Sequence, residues 1–439
     1  MTPSTRPRLL GLALLIALIA LVAAPPAHAQ LTVQITRGVL TPIPVAVVPF
    51  GAEAPPPLDV AQVIEADLNR SGRFQGLPRS QMVQHPTTSA QVDLAQWRLL
   101  KTDYVVVGRV LGPSPGYRVE FELFNVVTGE RLTGYGVPAA AGSLRLAAHR
   151  IADLIYQKIL GVPGAFATRI AYVNVRGGPG ARRWRLYVAD SDGENMQTVL
   201  ESGEPIMSPA WSPDGTRLAY VSFEGRTSSI WVQNVFTSAR EKVSARAGIN
   251  GAPAWSPDGR KLALALSQTD GNVDLFVLEL ANQMLTRVTD DPAIDTEPCW
   301  SPDGKSLYFT SDRSGKPQVY RIALAPGERP VRITFEGSYN ARPRISPDGA
   351  TLAVVTLTDG GYRIAAVEVA TGRSRVLSTG RLDEGPSFAP NGQAVLYAAR
   401  EAGRGVLATV AIDGSVSSKI SAADGDVREP AWSPRIEAQ

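Results

Sequence analysis

The chain has 439 residues, enough for two or three domains. Lysine and arginine total 44 against 41 aspartates and glutamates, and no basic run is interleaved with aromatics, which excludes the electrostatic footprint of a nucleic-acid-binding protein. The single cysteine, Cys299, excludes an intrachain disulfide, so core burial must stabilise the fold, and a lone thiol reads as a small buried hydrophobe rather than a nucleophile.

The first residues are not expected to belong to the fold. Arg6 and Arg8 make a basic start, residues 9–22 are an uncharged apolar run, and Pro25 and Pro26 break it ahead of the small-x-small site Ala27-His28-Ala29. This is the layout of a secretory signal over residues 1–29, cleaved after Ala29. As a membrane anchor the run would be short against the roughly 20 residues a span needs. The signal removes two arginines and no acid, so the exported chain is close to neutral, and no later apolar stretch could span a membrane. Residues 30–41 precede the first strand and are expected to be mobile, as termini often are.

Residues 42–163 read as a small α/β domain of ordinary domain size. Residues 45–50 are a continuous apolar run, as in a buried strand. Val60, Val63, Ile64 and Leu68 recur at helical spacing, with Asp59 as N-cap and Gly72 as stop. Leu94, Trp97 and Leu100 suggest a second helix, followed by strands over residues 104–111 and 118–127 that turn at Thr128-Gly129. Ser143 is expected to cap a longer helix with Leu144, Ala147, Ala148, Ile151, Leu154, Ile155 and Ile159 on its apolar face, ended by Gly161-Val162-Pro163-Gly164.

One phrase then recurs. It is PAWSPDG from Pro209 and from Pro253, PCWSPDG from Pro298, PRISPDG from Pro343 and PSFAPNG from Pro386, and a last copy runs from Pro430 to Pro434. The leading prolines lie 44, 45, 45, 43 and 44 residues apart, the period of four-stranded propeller blades. Residues 164–439 therefore read as an all-β six-bladed β-propeller. Each Ser-Pro-Asp-Gly is a tight turn joining two strands of one blade. The last strand, Ala431-Trp432, has no hairpin partner after it, and the first, residues 170–174, has none before it. Their pairing would close the ring and hide two edges. Trp211, Trp255, Trp300 and Trp432 are expected between blades, with Ile345 and Phe388 in the other two. The repeated Asp214, Asp258, Asp303 and Asp348 read as turn residues rather than metal ligands, since Asn391 stands in one copy.

No catalytic set emerges. Of three histidines, His28 leaves with the signal, His85 lies in a loop and His149 on the long helix, and there is no HExxH, CxxC or phosphate loop. Gly112-Pro113-Ser114-Pro115-Gly116 matches G-x-S-x-G formally, but a strand follows it and prolines flank the serine, so it reads as a turn. Similar propellers cap serine peptidases whose hydrolase domain follows them, and here only five residues follow Pro434. The tryptophan pattern of quinoprotein propellers is missing. No cofactor and no metal are expected.

The strand phase also orients the ring. If the Ser-Pro-Asp-Gly turns lie on one rim, the segments before each repeat proline surround the channel mouth on the other. They include Met207-Ser208, Ile249-Asn250-Gly251-Ala252, Asp295-Thr296-Glu297, Tyr339-Asn340, Asp383-Glu384 and Arg428-Glu429, several of them polar as a binding rim should be. The order of signal, α/β domain and six repeats, with Asn250-Gly251-Ala252-Pro253, Thr296-Glu297-Pro298 and Leu382-Asp383-Glu384, resembles the TolB family, the periplasmic component of the Tol-Pal system of Gram-negative bacteria. The resemblance implies a monomeric, non-enzymatic periplasmic adaptor for outer-membrane invagination at division and for envelope integrity. It implies that Pal, the peptidoglycan-associated lipoprotein, binds at Met207, Ser208, Ile249, Asn250, Gly251, Ala252, Thr296, Glu297, Asn340, Asp383 and Glu384. It implies that the C-terminal domain of TolA binds Leu31, Thr32, Val33, Gln34, Ile35, Thr36, Arg37 and Gly38, where alternating Leu31, Val33 and Ile35 suit a strand added to a partner's sheet. The competing reading is a periplasmic propeller lyase or hydrolase acting on envelope glycans, with Asp295, Glu297, Asp383 and Glu384 as its acids.

Overall fold

The computed structural model describes residues 33–34, 41–113, 116–178, 180–267, 271–420 and 422–436. The α/β domain is built on a mixed sheet in the order Phe74–Gly76, Ile43–Val47, Tyr104–Leu111, Tyr117–Asn125, Arg131–Ala139, with Gly51–Ala52 also pairing Tyr104–Leu111. The first three strands run parallel and the last three antiparallel. Helix α1 (Val60–Arg70) starts where the Asp59 carboxylate accepts the Gln62 amide at 3.0 Å. Val60, Ile64 and Leu68 of α1, with Leu144, Ala148, Ile151 and Ile155 of α3 (Leu144–Leu160), bury one face of the sheet against Val45, Val47, Val106 and Phe121. The short helix α2 (Leu94–Leu99) closes the other face through the buried Trp97.

One local expectation is corrected, and one strand joins the expected elements. The Ser143 side chain makes no capping bond, because Ala141–Ser143 form a 3-10 turn that leads into α3. Arg131–Ala139 is a full strand although Gly134, Gly136 and Pro138 interrupt its pattern. It is the sheet's edge, where proline is tolerated. A Cβ at Gly136 would collide with the Arg118 guanidinium, so the glycine leaves room for that side chain to lie along the strand.

The propeller has six sheets, each four strands deep. From the channel outward, blade one is Asp426–Trp432, Arg169–Arg176, Arg183–Asp190, Gln197–Ser202. The C-terminal strand thus stands beside the first strand of the array, with Ala431 opposite Ala171 and Trp432 opposite Ile170. The inner strands of blades two to six are Ile206–Trp211, Asn250–Trp255, Asp295–Trp300, Asn340–Ile345 and Glu384–Phe388. Blade six carries one further outer strand, Val33–Gln34, paired with Ser417 and Ser418.

The repeat residues hold the blades together. Trp211 Nε1 donates to the Ala431 carbonyl at 3.2 Å, Trp255 to Ala210 at 3.1 Å and Trp300 to Ala254 at 3.0 Å, so each indole is tied to the blade before it. Blade five has Ile345 in that place, and its amide donates to Cys299 Sγ instead, at 3.4 Å. Cys299 is half-buried overall and packs against the apolar cluster of Tyr308, Leu352 and Val354, and burial pushes its thiol up. Asp214, Asp258, Asp303 and Asp348 each accept a serine hydroxyl two residues back and an amide two residues on, which uses them as turn acceptors. Asn391 keeps the turn by accepting the Gln393 amide, and its Nδ2 also donates to Pro163 O at 3.0 Å, a bond an aspartate could not make.

That bond lies at the contact between the two domains. Among the described residues such ties fall on the Ser-Pro-Asp-Gly side of the propeller. Arg70 donates to Ser191 Oγ at 3.2 Å, and Gly72 packs on Val416. Asp153 of α3 accepts the linker amides of Phe166 and Ala167 at 2.8 and 3.0 Å. Among the described residues no such tie reaches the opposite rim.

Candidate partner-binding rim

The rim away from the α/β domain is where the six inner strands begin. Each makes a register shift at its repeat proline, for example between Met207 and Ala210 and between Thr296 and Cys299. A bulge is where a strand tolerates proline, and it re-aims the neighbouring side chain. The residue before each proline is left-handed: Ser208, Ala252, Glu297, Arg342, Gly385 and Glu429 have φ between +47° and +63°. These six residues form a ring at the mouth of the channel.

The charge in that ring is concentrated on one side. Arg342 Nε binds Glu297 Oε1 at 2.8 Å on the neighbouring blade, and its Nη2 binds Glu429 Oε1 at 2.9 Å on blade one, passing over blade six. Gly385 makes that reach possible, since blade six presents no side chain there, and a Cβ would sit 3.1 Å from Pro430. Glu429, and then Glu297, hold the Arg342 guanidinium above its usual range. Burial, and then Glu429, push the Glu384 carboxyl up. On the other side stand the small Ser208 and Ala252.

The residues named for this rim divide in two. Met207 and Ile249 are exposed, 37% and 50%. Ser208, Gly251, Ala252, Thr296, Glu297 and Glu384 are half-buried. Asn250, Asn340 and Asp383 are fully buried and present no surface. They lie three residues before their repeat prolines and bind their own loops. Asn250 Oδ1 accepts Ser244 Oγ and the Arg246 amide, Asn340 Nδ2 donates to the Glu336 carbonyl, and Asp383 Oδ2 accepts Ser378 Oγ and the Gly380 amide. Asp295 occupies the same level, buried and held by Arg313 Nη2 at 2.7 Å, and burial raises its carboxyl and that of Asp383. The buried layer fixes loop shape, and the exposed positions stand above it.

Arg342 was missed in the sequence, though the signal was available, since it precedes a repeat proline as Glu297 and Glu429 do. Ile294 and Leu382, exposed at the level of Ile249, were missed as well. Of the N-terminal segment, Leu31, Thr32, Ile35, Thr36, Arg37 and Gly38 lie outside the described residues, and Val33 and Gln34 form the extra strand on blade six. The strands on either side of the Gly112–Gly116 segment are antiparallel, with Leu111 opposite Arg118, so a strand and not a helix follows it, and Ser114 and Pro115 lie outside the described residues. No described helix is long and apolar enough to cross a membrane.

A small α/β domain seated on one side of a six-bladed propeller, with a constructed rim on the other, defines a propeller-based binding protein. Residues 31–132 match the family model of the TolB amino-terminal domain and residues 156–436 that of the TolB beta propeller domain. The chain is 55% identical over 419 residues to the Tol-Pal system protein TolB of Methylococcus capsulatus, covering 95% of this chain and 98% of that protein. It is 51% identical over 410 residues to that of Xanthomonas oryzae pv. oryzae, covering 92% and 93%. The crystal structure of TolB from Acinetobacter baumannii superposes with a TM-score of 0.84 at 39% identity, over 92% of this chain and all of that one. The chain belongs to the TolB family of Tol-Pal system proteins, which are periplasmic and non-enzymatic.

Proposed function

We propose that the chain is an exported periplasmic adaptor, freed of residues 1–29 by cleavage after Ala29. It binds the lipoprotein Pal at that propeller rim and the TolA C-terminal domain through residues 30–39, and serves outer-membrane invagination at division and envelope integrity. The observation that carries the reading is the rim itself. Exposed Met207 and Ile249, with half-buried Thr296 and Glu384, stand on a layer of buried Asn250, Asn340 and Asp383. That arrangement holds surface side chains in place before a partner arrives, which lowers the ordering cost of binding.

The N-terminal segment supports the second half. Val33 and Gln34 add as an edge strand to blade six. A segment able to complete one sheet edge can complete a partner's by the same main-chain bonds. The two placements compete, so TolA draws on the fraction of molecules in which the segment has left blade six. The glycan-enzyme reading has no observation in its favour: Asp295 and Asp383 are spent on Arg313 and on their own loop.

The test is a pull-down with the chain lacking residues 30–39. TolA binding is expected to vanish, with Pal binding kept or strengthened. Unchanged TolA binding removes the role given to the segment. Recovery of sugar products without a Pal-like lipoprotein from envelope extract removes the adaptor reading.

A further inference from the structure

The contact between the domains contains a buried histidine whose second nitrogen is unused. His149 of α3 and Asp67 of α1 are each 1% exposed, and His149 Nδ1 lies 2.6 Å from Asp67 Oδ2. His149 Nε2 has no hydrogen-bond partner among the described residues. It faces Asp192 Oδ2 at 3.8 Å and Asp190 Oδ2 at 4.0 Å. Those two acids belong to the end and turn of a blade-one strand, so the imidazole has one carboxylate from its own domain on one side and two from the propeller on the other.

The charges around it are known element by element. From α1 come Asp67 and Arg70, paired at 2.8 Å, with Arg70 also 3.9 Å from Asp192. From α3 come Arg145, paired with Asp192 and 3.6 Å from Asp190, and Asp153, one turn beyond His149. From the blade-one turn come Asp190 and Asp192. Asp153 is occupied by the linker amides, and burial pushes its carboxyl up to about 6. That sets Asp67, Asp190 and Asp192 against Arg70 and Arg145, with Arg169 also acting on Asp190, and His149 Nε2 faces the two propeller acids without a hydrogen-bond partner among the described residues. A neutral imidazole would turn a lone pair toward Asp190 and Asp192. An imidazolium donates at both ends, and buried charge-assisted bonds are the strong ones.

The geometry points to His149 as a proton-operated clasp between the α/β domain and blade one of the propeller. Protonated, it ties Asp67 to the Asp190 and Asp192 pair across the interface, and deprotonated it releases the propeller side. The three ligand-like atoms of Asp67, His149 and Asp192 lie within 4.8 Å of one another. A metal ion there would have to displace Arg70 from Asp67 and Arg145 from Asp192, where two guanidinium groups already supply cationic charge, so the proton is the cation that fits. Burial opposes charging His149, but Asp67 and then Asp192 outweigh it, and its pKa lies above the ordinary 6.5. A raised folded-state value means the clasp is fully engaged below that ordinary value and opens as pH rises through the folded one. The strength of the joint between the two domains then depends on pH, whichever partners they bind.

The experiment is an NMR titration of the imidazole resonances of the mature chain, where only His85 and His149 remain once His28 is removed. His149 is expected to titrate above 6.5. Asp192→Asn is expected to lower its proton affinity about tenfold, roughly one pKa unit. Thermal unfolding adds a second reading: the midpoint of the wild type should fall between about pH 6 and about pH 8 more steeply than that of His149→Gln. A His149 value at or below the ordinary one, no response to Asp192→Asn, or an equal pH slope in His149→Gln overturns the clasp. So does a stoichiometric shift of the His149 resonances on adding zinc ions. The titration of wild type and Asp192→Asn decides the matter even if His149→Gln fails to fold.

Discussion

A chain stopped before Asp426 is expected to lose its cooperative thermal transition and to leave the soluble fraction. The strand Asp426–Trp432 is the inner strand of blade one, and its removal bares the edge of Arg169–Arg176, where Ile170, Ala171, Tyr172 and Val173 are fully buried. Fully burying a large apolar side chain is worth about 1.5–3 kcal/mol, so losing even half the cover of Ile170, Tyr172 and Val173 consumes much of the roughly 5–15 kcal/mol that keeps a domain folded. Bonds are lost as well. Trp211 Nε1 loses the Ala431 carbonyl, the Arg169 amide loses Ser433 Oγ, and Arg342 loses Glu429. The ring would open at an apolar edge, which is a template for aggregation. Soluble yield and the circular-dichroism melt check this. A truncated chain with an unchanged transition would mean that the ring does not depend on its last strand.

Arg342→Ala is expected to destabilise the propeller in a pH-dependent way. Arg342 lies between Glu297 and Glu429, with Glu384 nearby, and its loss leaves the acids facing one another around the channel. Removing one partner of a buried pair costs about 3–5 kcal/mol, and since a quarter of the Arg342 side chain is exposed, about 2 kcal/mol is the expected loss. The sign with pH follows from Glu384. Its folded-state pKa is already raised, by burial and then by Glu429, so the folded chain binds its proton more readily than the unfolded chain does. Stability contributed through this group therefore rises as pH falls. Without the guanidinium that slope should steepen, so the deficit in urea unfolding should be largest near about pH 8 and shrink toward about pH 5. A deficit independent of pH would mean that Arg342 acts only by packing.

Much of this was legible in the sequence, and the parts that were not share a cause. The spacing of Val60, Val63, Ile64 and Leu68 belongs to α1 alone, and the phase of the Pro-Ala-Trp-Ser-Pro-Asp-Gly phrase concerns neighbours inside one blade, so both could be read locally. The strand Arg131–Ala139 was hidden because Gly134, Gly136 and Pro138 look like turn residues, and only the bed they make for Arg118 explains them. The rim was located by strand phase, but burial within it was not foreseeable. Asn250, Asn340 and Asp383 are polar, and only the returning loop of the same rim shows that each is buried and bonded to that loop. Arg342 meets partners 45 and 87 residues away, and His149 meets Asp67 at 82, separations that ring closure and domain docking decide.

The separation of a buried shaping layer from an exposed contact layer carries the functional reading, because it assigns binding to few side chains. Isothermal titration of the mature chain with the soluble domain of Pal tests it most directly. The account predicts a one-to-one complex that Ile249→Asp with Met207→Asp weakens about 30-fold or more, as loss of an interfacial hot spot does, with the melting midpoint kept. Leu99→Asp, on the exposed side of α2 in the other domain, should leave the affinity unchanged. Absence of binding by the wild type, or a rim variant that binds as tightly as the wild type, would contradict it.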